Sequence, residues 1–162
     1  MKTLRFECLG QPVPQGSMKG YVAGGRAVVT SDNSKLRPWR DTVTWAARDA
    51  LGVHPERADF PIPGAVTLDL SFWMHRPKNR PKTIDVLPLT PPDLDKLIRA
   101  IGDSLVNAGV IADDSIITDL RVSKRYAVSP DLTKIYVPGF HRHEPGVLVL
   151  VREHRAPSKG TP

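Results

Sequence analysis

The alternation of apolar and polar positions divides the chain into short elements. Thr3 to Leu9 alternates with a period of two, as a half-buried strand does. Tyr21 to Ala23 and Arg26 to Thr30 flank Gly24-Gly25, a pair whose two residues both accept positive φ, which predicts a hairpin. Trp39, Val43, Ala46, Ala47, Ala50 and Leu51 then recur at helical spacing. Pro38 falls in the first turn of that helix, Ser31 to Ser34 offer turn and capping residues, and Gly52 stops it. A proline-rich loop, His54 to Gly64, leads into a strand from Val66 to Met74.

The clearest pattern follows. Leu94, Leu97, Ile98, Ile101, Leu105 and Ala108 form one apolar helix face. Pro91-Pro92 bars an earlier start, Asp93 is placed to cap the helix, and Asn107 and Gly109 end it. A strand over Ser115 to Tyr126 comes next, then short strands at Ile135 to Val137 and Val147 to Val151. The order of elements predicts an α+β fold: a single domain with a mixed β-sheet packed by two main helices. That domain is expected over residues 1–155, with a polar, disordered tail over 156–162.

Composition narrows the class. At 162 residues, 40% hydrophobic and 25% charged, the chain can bury one core of ordinary size. The single Cys8 cannot form an internal disulfide and reads as a small buried apolar side chain, fitting a reducing compartment. The start has no signal-peptide pattern, and no segment has the apolar length of a membrane span. These features predict a cytoplasmic protein with no membrane partner. Gly16 to Gly20 lacks the spacing of a phosphate-binding loop, so no nucleotide cofactor is expected. His141 and His143 lack the further ligands a zinc site needs and read as a solvated or phosphate-facing loop. Trp39, Trp45 and Trp73 read as core or interface.

Charge changes the picture more. The net charge is +6, yet Asp93 to Asp119 holds six acidic residues (Asp93, Asp95, Asp103, Asp113, Asp114 and Asp119) against Lys96 and Arg99. The remainder carries 21 basic and 11 acidic residues, so an acidic island sits in a basic surround. Just before it, HRPKNRPKTIDVLPLT crowds Arg76, Lys78, Arg80 and Lys82 into a proline-rich loop suited either to solvent or to phosphate contact. Arg121 to Tyr126 adds cations to the end of the strand after Asp114.

Any one aspartate at a helix start or in a turn is ordinary. Together, three carboxylates suit a hard divalent cation, Mg²⁺ or Mn²⁺, which takes oxygen ligands and can share them with substrate phosphate. The acid would hold cations for chemistry while the basic surround holds a polyanion. Geometry imposes a condition, because a helix of about 15 residues is over ~20 Å long. The two acidic pairs meet only if the strand folds back along the helix, if the turn aspartate leans over a neighbouring strand, or if a partner subunit contributes.

The stretch closely resembles the RusA family of Holliday-junction resolvases, found in phages and prophages. Its residues are Asp93-Leu94-Asp95-Lys96-Leu97, Asp103-Ser104-Leu105, Gly109-Val110, Asp113-Asp114 and Lys124, in order and correctly spaced over 32 residues. The N-terminal 90 residues match only in outline. The resemblance implies a homodimeric, Mg²⁺-dependent structure-specific endonuclease, with Mn²⁺ substituting, that resolves four-way DNA junctions by paired symmetric nicks. It implies a bacterial cytoplasmic location with phage or prophage origin. It places the metal ligands and catalytic acids on Asp93, Asp95 and Asp114, with Asp113 the lesser of its pair. The family's catalytic lysine falls on Arg99, a departure; Arg keeps the charge but donates no proton readily, so Lys96 or Lys124 could share the role. Arg76, Lys78, Arg80, Lys82, Lys96 and Lys124 are the expected DNA contacts. Two other readings of the same residues are a catalytically inactive protein that binds branched DNA, and a nuclease of the same chemistry on flaps, forks or RNA.

Overall fold

The computed structural model describes residues 1–16, 18–31, 33–81, 86–128 and 143–154, with the backbone alone at 18–21 and 28–31. Lys82, the strand expected at Ile135 to Val137, His141-Arg142 and the tail over 156–162 lie outside the described residues. The elements run β1 (Thr3–Leu9), β2 (Met18–Ala23), β3 (Arg26–Ser31), α1 (Leu36–Gly52), β4 (Val66–Met74), α2 (Leu94–Ala108), β5 (Ile117–Tyr126) and β6 (Gly146–Glu153). Single 3₁₀ turns occupy Arg57–Asp59 and Asp114–Ile116. This is the α+β architecture that the pattern predicts.

The sheet order is β1-β6-β4-β5, with β2 and β3 paired as a separate hairpin. Among the described strands β4 and β5 alone pair in parallel, and α2 lies in the crossover between them. Parallel neighbours cannot be joined by a tight turn, so the helix is required by the pairing. Register aligns core side chains in rows across the strands. Leu4, Val151 and Leu68 make one row, and Phe6, Val149, Leu70 and Val122 the next. The third row runs Cys8, Val147, Phe72 and then Lys124 on the edge strand. Trp39, Val43 and Ala47 of α1, with Leu97, Ile101 and Leu105 of α2, join the same cluster. Burial raises the Cys8 thiol to about 11, so it stays neutral in the core.

Two details of the helix ends depart from the sequence pattern. The cap of α1 is Lys35, whose backbone N–H donates to Asn33 Oδ1 at 3.2 Å, so Asn33 supplies the oxygen from two residues earlier. Asp93 occupies the cap position of α2, but its side chain caps nothing. The other end behaves as expected: Gly109 takes the left-handed conformation (φ 76°) that lets the chain leave α2 at once. Trp39 and Trp73 are buried, whereas Trp45 is 67% exposed, with the Arg48 guanidinium 5.8 Å from its ring centre. Among the described residues no helix is long and apolar enough to cross a membrane.

Candidate active site

Parallel pairing puts the carboxyl ends of β4 and β5 at one end of the sheet, and the loop after β4 delivers the start of α2 there. Open α/β units carry their ligand sites at such ends. The loop is tied in place from several sides. His75 N–H donates to Gln11 Oε1 at 2.9 Å, and Gln15 N–H donates to Lys96 O at 2.9 Å. Lys124 Nζ donates to the carbonyls of Thr90 and Pro92 at 3.0 and 2.9 Å. Arg76 folds back onto its own loop, donating to Pro81 O, with its guanidinium 5.9 Å from the Tyr126 ring centre. Lys78 is exposed and Arg80 half-buried on the same loop.

The strand after Asp114 does fold back along α2. A Cβ on Gly102 would stand 3.6 Å from Asp114 Cβ and 3.9 Å from Ile117 Cδ1, so the strand begins against the middle of the helix. By Lys124 it has reached the carbonyls preceding the helix. Asp95, Arg99 and Gly102 fall at i, i+4 and i+7, on one helix face. Asp114 therefore lies two turns from Asp95, about 10.5 Å of helix rise, with Arg99 between them. Asp95, Arg99 and Asp114 are all exposed.

The six acids of the island divide by what they touch. Asp103 pairs with Arg40 of α1 at 3.1 Å, clamping the two helices together. Asp119 meets His154 Nε2 at 2.8 Å near the start of β5. Asp113 accepts the Ser115 backbone N–H at 2.9 Å, capping the 3₁₀ turn, and that bond holds its carboxyl below the usual range. Asp93 carries an ion pair to Lys96 at 3.1 Å, both side chains about half exposed. Asp95 and Asp114 have neither a hydrogen bond nor an ion pair from their side chains among the described residues.

Among the described residues no three His, Cys, Asp or Glu side chains stand close enough together to share one metal ion. What the chain offers a divalent ion is a donor set of the right chemistry: the exposed, unpartnered carboxylates of Asp95 on α2 and of Asp114 in the turn packed alongside it, with Asp93 at the helix mouth. Mg²⁺ needs only one or two carboxylates alongside waters and phosphate oxygens. The stripe lies on open surface. A hollow of about 410 Å³, lined by Thr67, Asp119, Arg152 and His154 among others, lies by the start of β5 and is lined by neither Asp95 nor Asp114. An open stripe suits a duplex, which a closed pocket would exclude.

Gly102 and Lys124 carry more of this geometry than the sequence pattern gives them. The signal for Lys124 is its place two residues from Val122 and two from Tyr126, on the face of β5 that turns toward the core. Nothing in one sequence marks Gly102.

The chain is 29% identical to the uncharacterized protein YqaN of Bacillus subtilis (strain 168), an alignment covering 94% of this chain and 98% of that protein. A family model described as Endodeoxyribonuclease RusA matches residues 10–137, which takes in the hairpin, both helices, the acidic stripe and β5. The chain thus belongs to the RusA family of endodeoxyribonucleases, hydrolases that cut phosphodiester bonds at Holliday junctions.

Proposed function

We propose that this protein resolves four-way DNA junctions by paired, symmetric nicks in a Mg²⁺-dependent reaction. Nucleases of its family depend on a divalent metal in general. The observation that carries the reading is the division of labour in the acidic island. Asp95 and Asp114 are exposed, unpaired and set along the same face as Arg99, while their neighbours hold the fold.

Asp95, Asp114 and Asp93 are the residues that would hold the ion. When bound, it supplies positive charge to lower the pKa of the attacking water and to stabilise the leaving oxygen of an in-line displacement. Arg99 sits between the acids and offers up to five N–H donors to the non-bridging oxygens of the scissile phosphate. Its part in this reading is to stabilise charge on the phosphate. Lys96 balances Asp93 in the resting protein and is free to turn to a phosphate once a cation replaces it. Lys78 and Arg80, with Arg76, would be the basic rim that holds the DNA backbone.

Two strands related by a two-fold axis require two sites related by the same axis, so the working unit is a homodimer. In this reading the chain acts as one domain in the bacterial cytoplasm and is encoded by a phage or prophage.

A panel of labelled junctions, flaps, forks and RNA, in Mg²⁺ and in Mn²⁺, tests the reading. The wild type should cut the four-way junction into symmetric nicked duplexes. Asp93→Asn, Asp95→Asn and Asp114→Asn should each lower cutting by about 10²–10³-fold or more. Each should bind junctions as well as or better than the wild type, since repulsion of phosphate falls. Cutting of flaps, forks or RNA alone would move the substrate class. Binding without any metal-dependent product would leave a junction-binding protein.

A further inference from the structure

We propose that Lys124 is a positioning residue for the metal-binding acids: its ammonium group pins the Thr90–Pro92 segment and so fixes the mouth of α2. This rests on the reading of Asp93, Asp95 and Asp114 as the seat of a divalent ion.

Lys124 stands where the sheet register calls for an apolar side chain. It is the edge member of the row Cys8, Val147, Phe72, and its neighbours on that face are Val122 and Tyr126. Among the described residues it is paired with no carboxylate. Its ammonium instead donates to Pro92 O at 2.9 Å and Thr90 O at 3.0 Å. The segment it holds has an unusual need. Pro91 and Pro92 carry no N–H, so they can be anchored through backbone hydrogen bonds only by their carbonyls. Pro92 O belongs to the peptide whose nitrogen is Asp93 N, and Asp93 is an α2 cap whose side chain makes no capping bond. No capping bond anchors the Asp93 side chain, whose carboxylate meets the half-exposed Lys96. The peptide before Asp93 sets where its Cα stands at the helix mouth, and Lys124 holds this peptide. The 3₁₀ turn leading into the other end of β5 carries Asp114, against Gly102. β5 thus spaces the two acidic groups: one end seats Asp114 and the other end fixes the approach to Asp93 and Asp95.

The test uses the full chain and Mn²⁺ binding read by electron paramagnetic resonance of the free ion, with no DNA present. Lys124→Met should weaken Mn²⁺ binding about tenfold or more, as removal of a ligand-orienting partner does. Lys124→Arg, which can donate to both carbonyls, should restore most of it. Junction affinity in Ca²⁺ should change by less than about threefold, since Lys124 supplies at most one of many phosphate interactions. In cleavage, kcat should fall and KM stay. Thermal unfolding shows that binding is measured on folded protein, and Lys124→Gln, which keeps an amide donor, is run beside it.

The proposal is overturned if Lys124→Met binds Mn²⁺ like the wild type while its junction affinity and salt dependence fall, because Lys124 then serves to grip a phosphate. It is overturned equally if the Mn²⁺ defect disappears well below the variant's melting point, because Lys124 then only stabilises the fold. A wild type whose Mn²⁺ binding ignores Asp95→Asn and Asp114→Asn fails differently. That result removes the metal seat itself, and this proposal with it.

Discussion

Two sets of aspartates share one stretch of 27 residues and are used in opposite ways. Asp103, Asp113 and Asp119 each have a partner: the Arg40 guanidinium, the Ser115 N–H and His154. Asp95 and Asp114 have none among the described residues, and Asp93 leaves its capping role unfilled for an exposed pair with Lys96. A carboxylate that has found its hydrogen bonds within the fold contributes to stability. One left exposed and unpaired contributes little, and is free to take a ligand. The comparison separates adjacent residues. Asp113 and Asp114 are neighbours in sequence, yet one caps a turn and the other turns toward the helix face of Arg99.

This contrast can be broken at several points. The largest effect is expected at Gly102, where the bare backbone lets Asp114 close on α2. Gly102→Leu would force a branched side chain into the space now held by Asp114 Cβ and Ile117 Cδ1. Displacement of about 1 Å suffices to cost roughly 10²-fold in cutting. Gly102→Ala, whose Cβ meets only ordinary contacts, should keep activity and gain up to about 1 kcal/mol from helix propensity. Single-turnover cleavage and thermal unfolding of both variants check this.

The basic loop comes next. Replacing Lys78 and Arg80 with Gln should weaken junction binding and flatten its dependence on salt, the log–log slope shrinking by about 0.9 for each phosphate left without its cation. Titrations at several salt concentrations read the slope, and an unchanged slope would remove the loop from the DNA surface. A smaller effect is expected among the partnered acids. Asp103→Asn should cost about 0.5–1 kcal/mol in denaturant unfolding by loosening the clamp to Arg40, whose side chain is roughly a quarter exposed. Cutting should remain within a few-fold of wild type, although Asp103 lies inside the family motif.

The smallest effect is at Asp113. Its carboxyl is held below the usual range by the Ser115 bond, so its stabilising contribution is present above the unfolded-state pKa. That contribution disappears as pH falls through the lowered folded value. Asp113→Asn should therefore lose less stability than the wild type between neutral pH and about pH 3, near the unperturbed carboxyl range. Melting temperatures across that range decide it, and cutting at neutral pH should persist.

Much of this was legible in the sequence for physical reasons. Thr3–Leu9 and Val66–Met74 declared themselves by alternation and by their apolar content. Leu94–Ala108 did so by a full apolar face between Pro92 and Gly109. Local pattern fixes such elements because burial of one face dominates their energy. Caps were less legible. Asp93 has the right residue type for a cap and does not act as one, and Lys35 has the wrong type and is capped through Asn33. Side-chain choice at a helix end depends on neighbours that sequence does not display. The return of β5 along α2 was only one of three possibilities, since it depends on the parallel pairing of Val66–Met74 with Ile117–Tyr126. Lys124 was legible as a motif residue and an expected DNA contact, but its hold on Thr90 and Pro92 follows only from its row in the sheet.

Asp95 and Asp114, left without partners among the described residues, are the proposed holders of one divalent ion. Anomalous diffraction from crystals grown with Mn²⁺ tests that most directly. The prediction is a manganese peak between the carboxylates of Asp95 and Asp114, beside Arg99 and within reach of Asp93. A well-occupied manganese site elsewhere, with both carboxylates still turned to solvent and no metal on either, would contradict it.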